Sequence, residues 1–185
     1  MKSNYTEGEK RFISFCDTNG YHYDRIAEES IPSPDFLLHI SETEHLTVEV
    51  KDFEENKEET TAIQHYKQNG FATWNSQKLP GERIRNKIEG SKRQLEYQKG
   101  EYPSLLLLYD NRSEIVSIVS EYEISVAMYG LECRFIQGEQ LLRIHGPNKK
   151  LTMTEKTYIS YIGILDTKGL ITMYENYICR KKTQY

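Results

Sequence analysis

The sequence predicts a mixed α/β domain, because helix-like and strand-like apolar patterns alternate along the chain. The length of 185 residues suits one domain with a substantial core. With 37% hydrophobic and 28% charged residues, the composition is that of an ordinary globular protein. We therefore expect a single domain over residues 1–185, with a core over about residues 1–130 and a β extension over residues 131–185.

The first part of the chain is predicted to form a helix and three strands. Residues 7–20 (EGEKRFISFCDTNG) place Phe12, Ile13 and Cys16 on one helical face and end at Gly20, a common helix stop. The strands that follow are predicted at residues 21–26, 35–40 and 46–53. The polar segment SETEH joins the second and third strands, which indicates a hairpin.

The middle of the chain is predicted to contain a loop, two helices and a buried strand. Residues 54–79 are polar and lack a steady period, so we expect a loop with one short helix. A helix pattern over residues 81–97 buries Ile84, Ile88 and Leu95, with Gly90 as its weak point. The run SLLLLYD (104–110) is typical of a strand that is buried on both faces, and EYEISVAMYG (121–130) of a short helix.

The last third of the chain is predicted to form antiparallel β-hairpins. Residues 132–144 give one hairpin, and residues 157–178 give another with turn residues from Asp166 to Gly169. These hairpins either extend the sheet or form an interface.

The chain gives no indication of export or membrane insertion. Residues 1–10 are polar, and the aliphatic run from Leu105 to Leu108 is far too short to cross a bilayer. Cys16, Cys133 and Cys179 lie far apart without CxxC spacing, which argues against a zinc site. We interpret the cysteines as buried thiols in a reducing compartment, and we therefore expect a cytoplasmic protein.

The net charge of −4 argues against a protein that coats nucleic acid without selectivity. Residues 78–93 nevertheless form a local basic segment with only two glutamates. Its basic residues are Lys78, Arg83, Arg85, Lys87, Lys92 and Arg93. Taken alone, such a segment is more typical of a solvated helix face.

Three residues of the predicted hairpin form a chemically suggestive group. Glu49 and Lys51 are two apart on a strand and therefore share a face, while Asp35 on the neighbouring strand can approach Glu49. Two converging carboxylates form an oxygen site suited to Mg²⁺ or Mn²⁺, with the Val50 carbonyl as a third ligand. Lys51 beside them can position an attacking water or stabilise charge in the transition state.

These residues resemble the PD-(D/E)xK nuclease superfamily, which has the restriction-endonuclease-like fold. Pro34-Asp35 matches the first half of the signature, and Glu49-Val50-Lys51 matches the second. The resemblance extends over the chain to about Gly130. It implies a mixed sheet flanked by helices and a metal-dependent nuclease that hydrolyses phosphodiester bonds in DNA. Asp35, Glu49 and Lys51 would be catalytic, and Asp35, Glu49, Val50 and Glu9 would hold the metal.

The resemblance also implies a nucleic-acid surface on the helix that follows the Lys51 strand. We expect Arg83, Arg85, Lys92, Arg93 and Gln94 to contact the substrate, chiefly its backbone phosphates. Trp74 is a further candidate for substrate contact. A homodimer would suit double-strand cleavage, and the C-terminal hairpins would then be candidates for the interface.

Each of these residues also has a structural explanation. Asp35 can be a turn residue after Pro34, Glu49 and Lys51 can lie on an exposed edge strand, and Glu9 can interact with a helix dipole. Lys92 and Gln94 can be solvated. The chain would then be a non-catalytic binding module on the same fold, or an unrelated α/β protein. The five histidines, His22, His39, His45, His65 and His145, show no ligand spacing along the sequence and receive no role.

Overall fold

A computed structural model describes residues 5–27, 31–73, 79–97, 102–113, 116, 119–130, 132–137, 140–145, 149–152 and 156–179. The helices are α1 (Glu7–Asn19), α2 (Lys57–Asn69), α3 (Glu82–Gly90), α4 (Lys92–Tyr97) and α5 (Glu121–Tyr129). The strands are β1 (His22–Arg25), β2 (Phe36–His39), β3 (His45–Phe53), β4 (Ser104–Asp110), β5 (Glu132–Gln137), β6 (Gln140–His145), β7 (Tyr161–Leu165) and β8 (Ile171–Glu175). Trp74 and Lys78 lie outside the described residues.

Six strands form one mixed sheet in the order β1-β2-β3-β4-β7-β8. Strand β4 pairs in parallel with both β3 and β7, and the remaining pairs in this sheet are antiparallel. Strands β5 and β6 form a separate antiparallel hairpin. The predicted mixed α/β class is confirmed, as are the β2–β3 hairpin and the two C-terminal hairpins.

The core consists of two layers, one on each face of the sheet. Leu105 and Leu107 of β4 pack with Phe12 and Cys16 of α1 on one face. Leu106 and Leu108 pack on the other face with side chains from α3, α4 and α5. The run of four leucines is therefore buried on both faces, as its continuous apolar pattern predicts.

Helix α1 is held against the sheet by a close contact at its first turn. The backbone N–H of Gly8 donates a hydrogen bond of 3.0 Å to Oδ2 of Asp52. A Cβ atom at position 8 would lie 2.2 Å from Oδ1 of Asp52 and 3.0 Å from side-chain atoms of Val50 and Tyr109. The absence of a side chain at Gly8 thus allows the helix to approach β3 and β4.

Helix α2 corrects the expectation of a mainly irregular segment over residues 54–79. It has 13 residues and begins with a capping box, in which Asn56 and Glu59 bond each other's backbone N–H groups. Only Glu59, Ala62 and Ile63 are buried, so most of the helix is solvated. A helix with so narrow a buried stripe has little apolar periodicity, and the sequence therefore predicts only a short helix in this segment.

One further boundary differs from the prediction. The helix expected over residues 81–97 is divided into α3 and α4 at Ser91, next to Gly90. Strands β7 and β8 extend the sheet beyond β4, which is one of the two arrangements expected for the C-terminal hairpins. Cys16 and Cys179 are buried thiols, as expected. Among the described residues, no helix combines the length and apolar character needed to cross a bilayer.

Candidate functional site

Asp35, the residue directly before β2, lies beside Glu49 of the neighbouring strand β3. Phe36 pairs with Val48, and the next positions outward are Asp35 and Glu49. Oδ2 of Asp35 accepts a hydrogen bond of 2.7 Å from the backbone N–H of Val50. The Val50 carbonyl belongs to the same residue and therefore faces the same edge of β3. The structure thus brings together Asp35, Glu49 and the Val50 backbone.

Glu49 is the most deeply buried acidic group of this site. Its exposed fraction is 1%, and Oε1 lies 2.5 Å from the ammonium nitrogen of Lys51, whose side chain is 26% exposed. The second oxygen, Oε2, is buried and has no hydrogen-bond partner. A buried oxygen without a partner is costly, because it has lost its hydration without replacement. Glu49 therefore has one oxygen that a bound cation could satisfy.

The two carboxyl groups of Asp35 and Glu49 retain protons more strongly than ordinary acidic side chains do. Burial, and after it the charge of Asp35, raises the pKa of Glu49 to about 7 against the opposing effect of Lys51. Burial also raises the pKa of Asp35 to about 6, against the effect of the Val50 N–H. Both groups therefore change protonation near neutral pH, where acid–base chemistry is most useful.

Glu9 is buried near these acids but has a structural role of its own. Its Oε2 accepts a hydrogen bond of 2.5 Å from the backbone N–H of Thr6, which completes the capping box of α1. Its Oε1 lies 3.5 Å from Arg25, and its charge raises the pKa of Asp35. Within the part of the chain that the structure describes, Glu9, Asp35 and Glu49 do not bring three ligand atoms within 4.8 Å of one another.

Helix α3 supplies a basic residue to the site that the sequence analysis did not assign to it. Lys87 is half-buried, and burial together with the charge of Lys51 lowers its pKa. The charge of Arg83 lowers it further, and the Lys87 ammonium nitrogen lies 5.7 Å from the centre of the Phe53 ring. Lys51, Lys87 and Arg83 therefore form a group of neighbouring positive charges. The sequence indicates this group only through the spacing of Arg83 and Lys87, which are one helical turn apart.

Arg83 belongs to a network of charges at the carboxyl end of β4. Nη2 of Arg83 lies 2.8 Å from Glu59, and Glu59 also lies 3.2 Å from Arg112. Arg112 makes a bidentate contact with Asp110 at 2.7 and 2.8 Å. Nη1 of Arg83 is buried and has no hydrogen-bond partner, so one donor of this network is unsatisfied.

The remaining predicted contact residues do not form a continuous exposed stripe. Arg85 is only 6% exposed and donates to the Pro80 carbonyl at 2.8 Å, so burial overrides the expected surface position. Lys92 and Arg93 are exposed on α4. Gln94 is half-buried, and its Oε1 is buried without a hydrogen-bond partner. The predicted contact residues thus fall in three places. Arg85 is buried, Arg83 belongs to the charge network with Glu59, and Lys92 and Arg93 are exposed on α4.

Comparison of the chain with protein-family models, with curated proteins and with solved structures found no match. Function is therefore inferred from the residues themselves. They provide two carboxyl groups that titrate near neutral pH, an adjacent ammonium and a group of positive charges on one side.

Proposed function

We propose that the protein is a metal-dependent nuclease that hydrolyses phosphodiester bonds in DNA, on a sheet of the restriction-endonuclease-like type. The observation that carries this proposal is the position of Glu49, buried beside Asp35 with one oxygen unsatisfied and the other next to Lys51. A solvated strand would leave both oxygens of Glu49 in contact with water. The burial of the Cys16 and Cys179 thiols agrees with a reducing compartment, and we propose that the protein is cytoplasmic.

The residues of the site fit Mg²⁺ or Mn²⁺, because both ions prefer oxygen ligands. Asp35 and Oε2 of Glu49 would be the principal ligands, with the Val50 carbonyl beside them. Glu9 would act at longer range through its charge. When bound, the ion would lower the pKa of a water molecule and neutralise charge on the phosphate.

Lys51 would act on the attacking water and on the charge that develops at the phosphate. Its ammonium lies beside Glu49, where it can donate a hydrogen bond to a water or to a phosphate oxygen. Lys87 would contact a phosphate oxygen on the same side, and the charge of Arg83 beside it would add to the positive potential there. Lys92 and Arg93 on α4 would contact the DNA backbone further from the reaction and position it.

Plasmid cleavage tests this proposal directly. We would incubate supercoiled plasmid, and labelled single-stranded DNA and RNA, with the wild-type protein and Mg²⁺ or Mn²⁺. The variant is Lys51→Ala, and the matched control is Lys168→Ala, which removes an exposed lysine in the turn between β7 and β8. We expect the wild type and Lys168→Ala to nick the plasmid, and we expect Lys51→Ala or a chelator to abolish nicking.

Two other results would overturn the proposal. Equal activity in the wild type and Lys51→Ala would identify a contaminating nuclease. Absence of cleavage on every substrate would favour a binding module, and a gel-shift assay with the same nucleic acids would then measure its binding.

A further inference from the structure

A row of three histidines crosses the first three strands of the sheet. His22 on β1 lies opposite His39 on β2, and His39 lies opposite His45 on β3. Side chains that lie directly opposite each other in an antiparallel pair share a face and are close neighbours. His39 is four residues from Asp35, so the row is about 13 Å along the strand from the carboxylate site. The row is thus separate from the proposed nuclease site.

Asp24 completes this group. It lies two residues after His22 on β1 and therefore faces the same side. Its Oδ2 lies 2.8 Å from Nε2 of His39. One potential ligand atom from each of His22, Asp24 and His39 lies within 4.8 Å of the others. In the described part of the chain, no other three His, Cys, Asp or Glu side chains meet this criterion.

The geometry is within reach of a tetrahedral ion. Zinc binds nitrogen and oxygen ligands at about 2.1 Å, which places tetrahedral ligands about 3.4 Å apart. His22 is exposed and the Asp24 side chain is 62% exposed, so both can rotate into place without disturbing the core. His39 is held more firmly, because its side chain is only 23% exposed and its ring packs 5.0 Å from that of His22.

His45 is placed to orient the central ligand. Its Nδ1 lies 3.0 Å from Nδ1 of His39, which is the ring nitrogen opposite the one that faces Asp24. A histidine that binds metal through one nitrogen usually donates a hydrogen bond from the other, which fixes its tautomer and its orientation. The ring of Tyr102 makes an edge-to-face contact with His45, with 5.3 Å between the ring centres, and so supports His45 in turn.

We propose that His22, Asp24 and His39 form a zinc site, with His45 as a positioning residue. Two imidazoles and one carboxylate favour zinc over magnesium, and the exposure of His22 and Asp24 leaves the fourth position to water. The ion would join edge strand β1 to β2 and would bind only the folded chain tightly. This site uses no cysteine, so the lack of CxxC spacing does not bear on it.

Calorimetric titration of the metal-free protein with Zn²⁺ tests the proposal. Because Zn²⁺ can also bind the two carboxylates of the proposed nuclease site, the titrations use the Asp35→Asn, Glu49→Gln background, in which we expect one site. Adding His22→Ala or Asp24→Ala should lower the zinc affinity more than about 100-fold, because loss of an outer partner alone costs about 10–100-fold. His45→Ala should lose affinity within that smaller range. Absorption of bound Co²⁺ in the visible region should report a four-coordinate ion in the wild type and weaken in the same variants.

Two controls separate this site from others. His65→Ala removes an exposed histidine of α2 and should bind zinc as the wild type does. The double variant Asp35→Asn, Glu49→Gln should keep zinc binding at the histidine site, because it changes only the carboxylate site. In that background, zinc affinity that survives His22→Ala and Asp24→Ala would overturn the proposal, as would loss of zinc binding in the double variant itself. Absence of any zinc binding by the wild type would overturn it as well.

Discussion

The carboxylate of Asp35 accepts a hydrogen bond of 2.7 Å from the backbone N–H of Val50, the residue between Glu49 and Lys51. One bond therefore fixes the side chain of Asp35, just before β2, to the part of β3 that carries Glu49 and Lys51. The same arrangement keeps the negative charge of Asp35 close enough to Glu49 to raise its pKa. The position of these acids should consequently have a measurable effect on stability.

Glu49→Gln should change the pH dependence of unfolding. The pKa of Glu49 is about 7 in the folded protein against an ordinary value of 4.5, so the folded chain holds this proton more tightly. This tighter proton binding adds to the free energy of unfolding of the wild type below pH 4.5, and the contribution is lost as the pH rises through about 7. Glutamine at this position does not titrate and so does not lose this contribution. We therefore expect the free energy of unfolding of Glu49→Gln, relative to that of the wild type, to increase by about 3 kcal/mol between about pH 4 and pH 8.

Urea denaturation at both pH values measures this difference, and titrating groups distant from Glu49 cancel in the comparison. A difference that does not vary with pH would mean that Glu49 titrates normally and that the site is solvated.

Lys87→Met should reduce catalysis without unfolding the protein. Lys87 lies near Lys51 and Arg83, and its ammonium would lose contact with a phosphate oxygen of the substrate. We expect kcat/KM for plasmid nicking to fall about 10–100-fold, in line with loss of about 1.5–3 kcal/mol from one charged hydrogen bond. Lys168→Met is the matched control. Kinetics equal to those of wild type would exclude Lys87 from the substrate site.

Gly8→Ala should destabilise the protein, because the added methyl group would meet Asp52, Val50 and Tyr109. Overpacking of this kind costs about 1–3 kcal/mol. Gly90→Ala is the matched control, since a Cβ atom there meets nothing within 4 Å and alanine is the better helix former. Thermal unfolding of both variants should show a lower Tm only for Gly8→Ala. Equal behaviour would mean that α1 can move away from the sheet without cost.

Arg112→Met should be among the most destabilising substitutions in the charged network. The side chain of Arg112 is 6% exposed and contacts both Asp110 and Glu59. Its removal would leave Asp110 without its bidentate partner and Glu59 with Arg83 as its remaining ion pair. Breaking a buried pair in this way costs about 3–5 kcal/mol. Chemical denaturation measures the loss, and a change below about 1 kcal/mol would show that water replaces the contact.

The parts of the fold that follow from local patterns could be predicted from the sequence. The alternation in β3 and its polar connection to β2 place Asp35 and Glu49 together once the hairpin forms. The four leucines of β4 indicate burial on both faces for the same local reason. Helix α2 is longer than the sequence predicts, because only Glu59, Ala62 and Ile63 are buried and the apolar period is correspondingly weak.

Features that depend on packing between distant segments could not be predicted in this way. Lys87 approaches Lys51 only because α3 packs on the face of the sheet that carries Phe53. The histidine row depends on the exact register of β1, β2 and β3, which spacing along the chain does not reveal. The burial of Arg85 depends on a hydrogen bond to Pro80 that no periodicity indicates.

The place of β7 beside β4 also has a consequence for how the chain folds. Residues 45–53, 104–110 and 161–165 are neighbours in the sheet although 50 residues of chain lie between each and the next. Pairings of such long range raise the contact order and slow folding. During synthesis β4 would emerge well before β7, with one edge of its leucine run unpaired. That edge is the surface where association with another unfinished chain would begin, and where a chaperone would have most to protect.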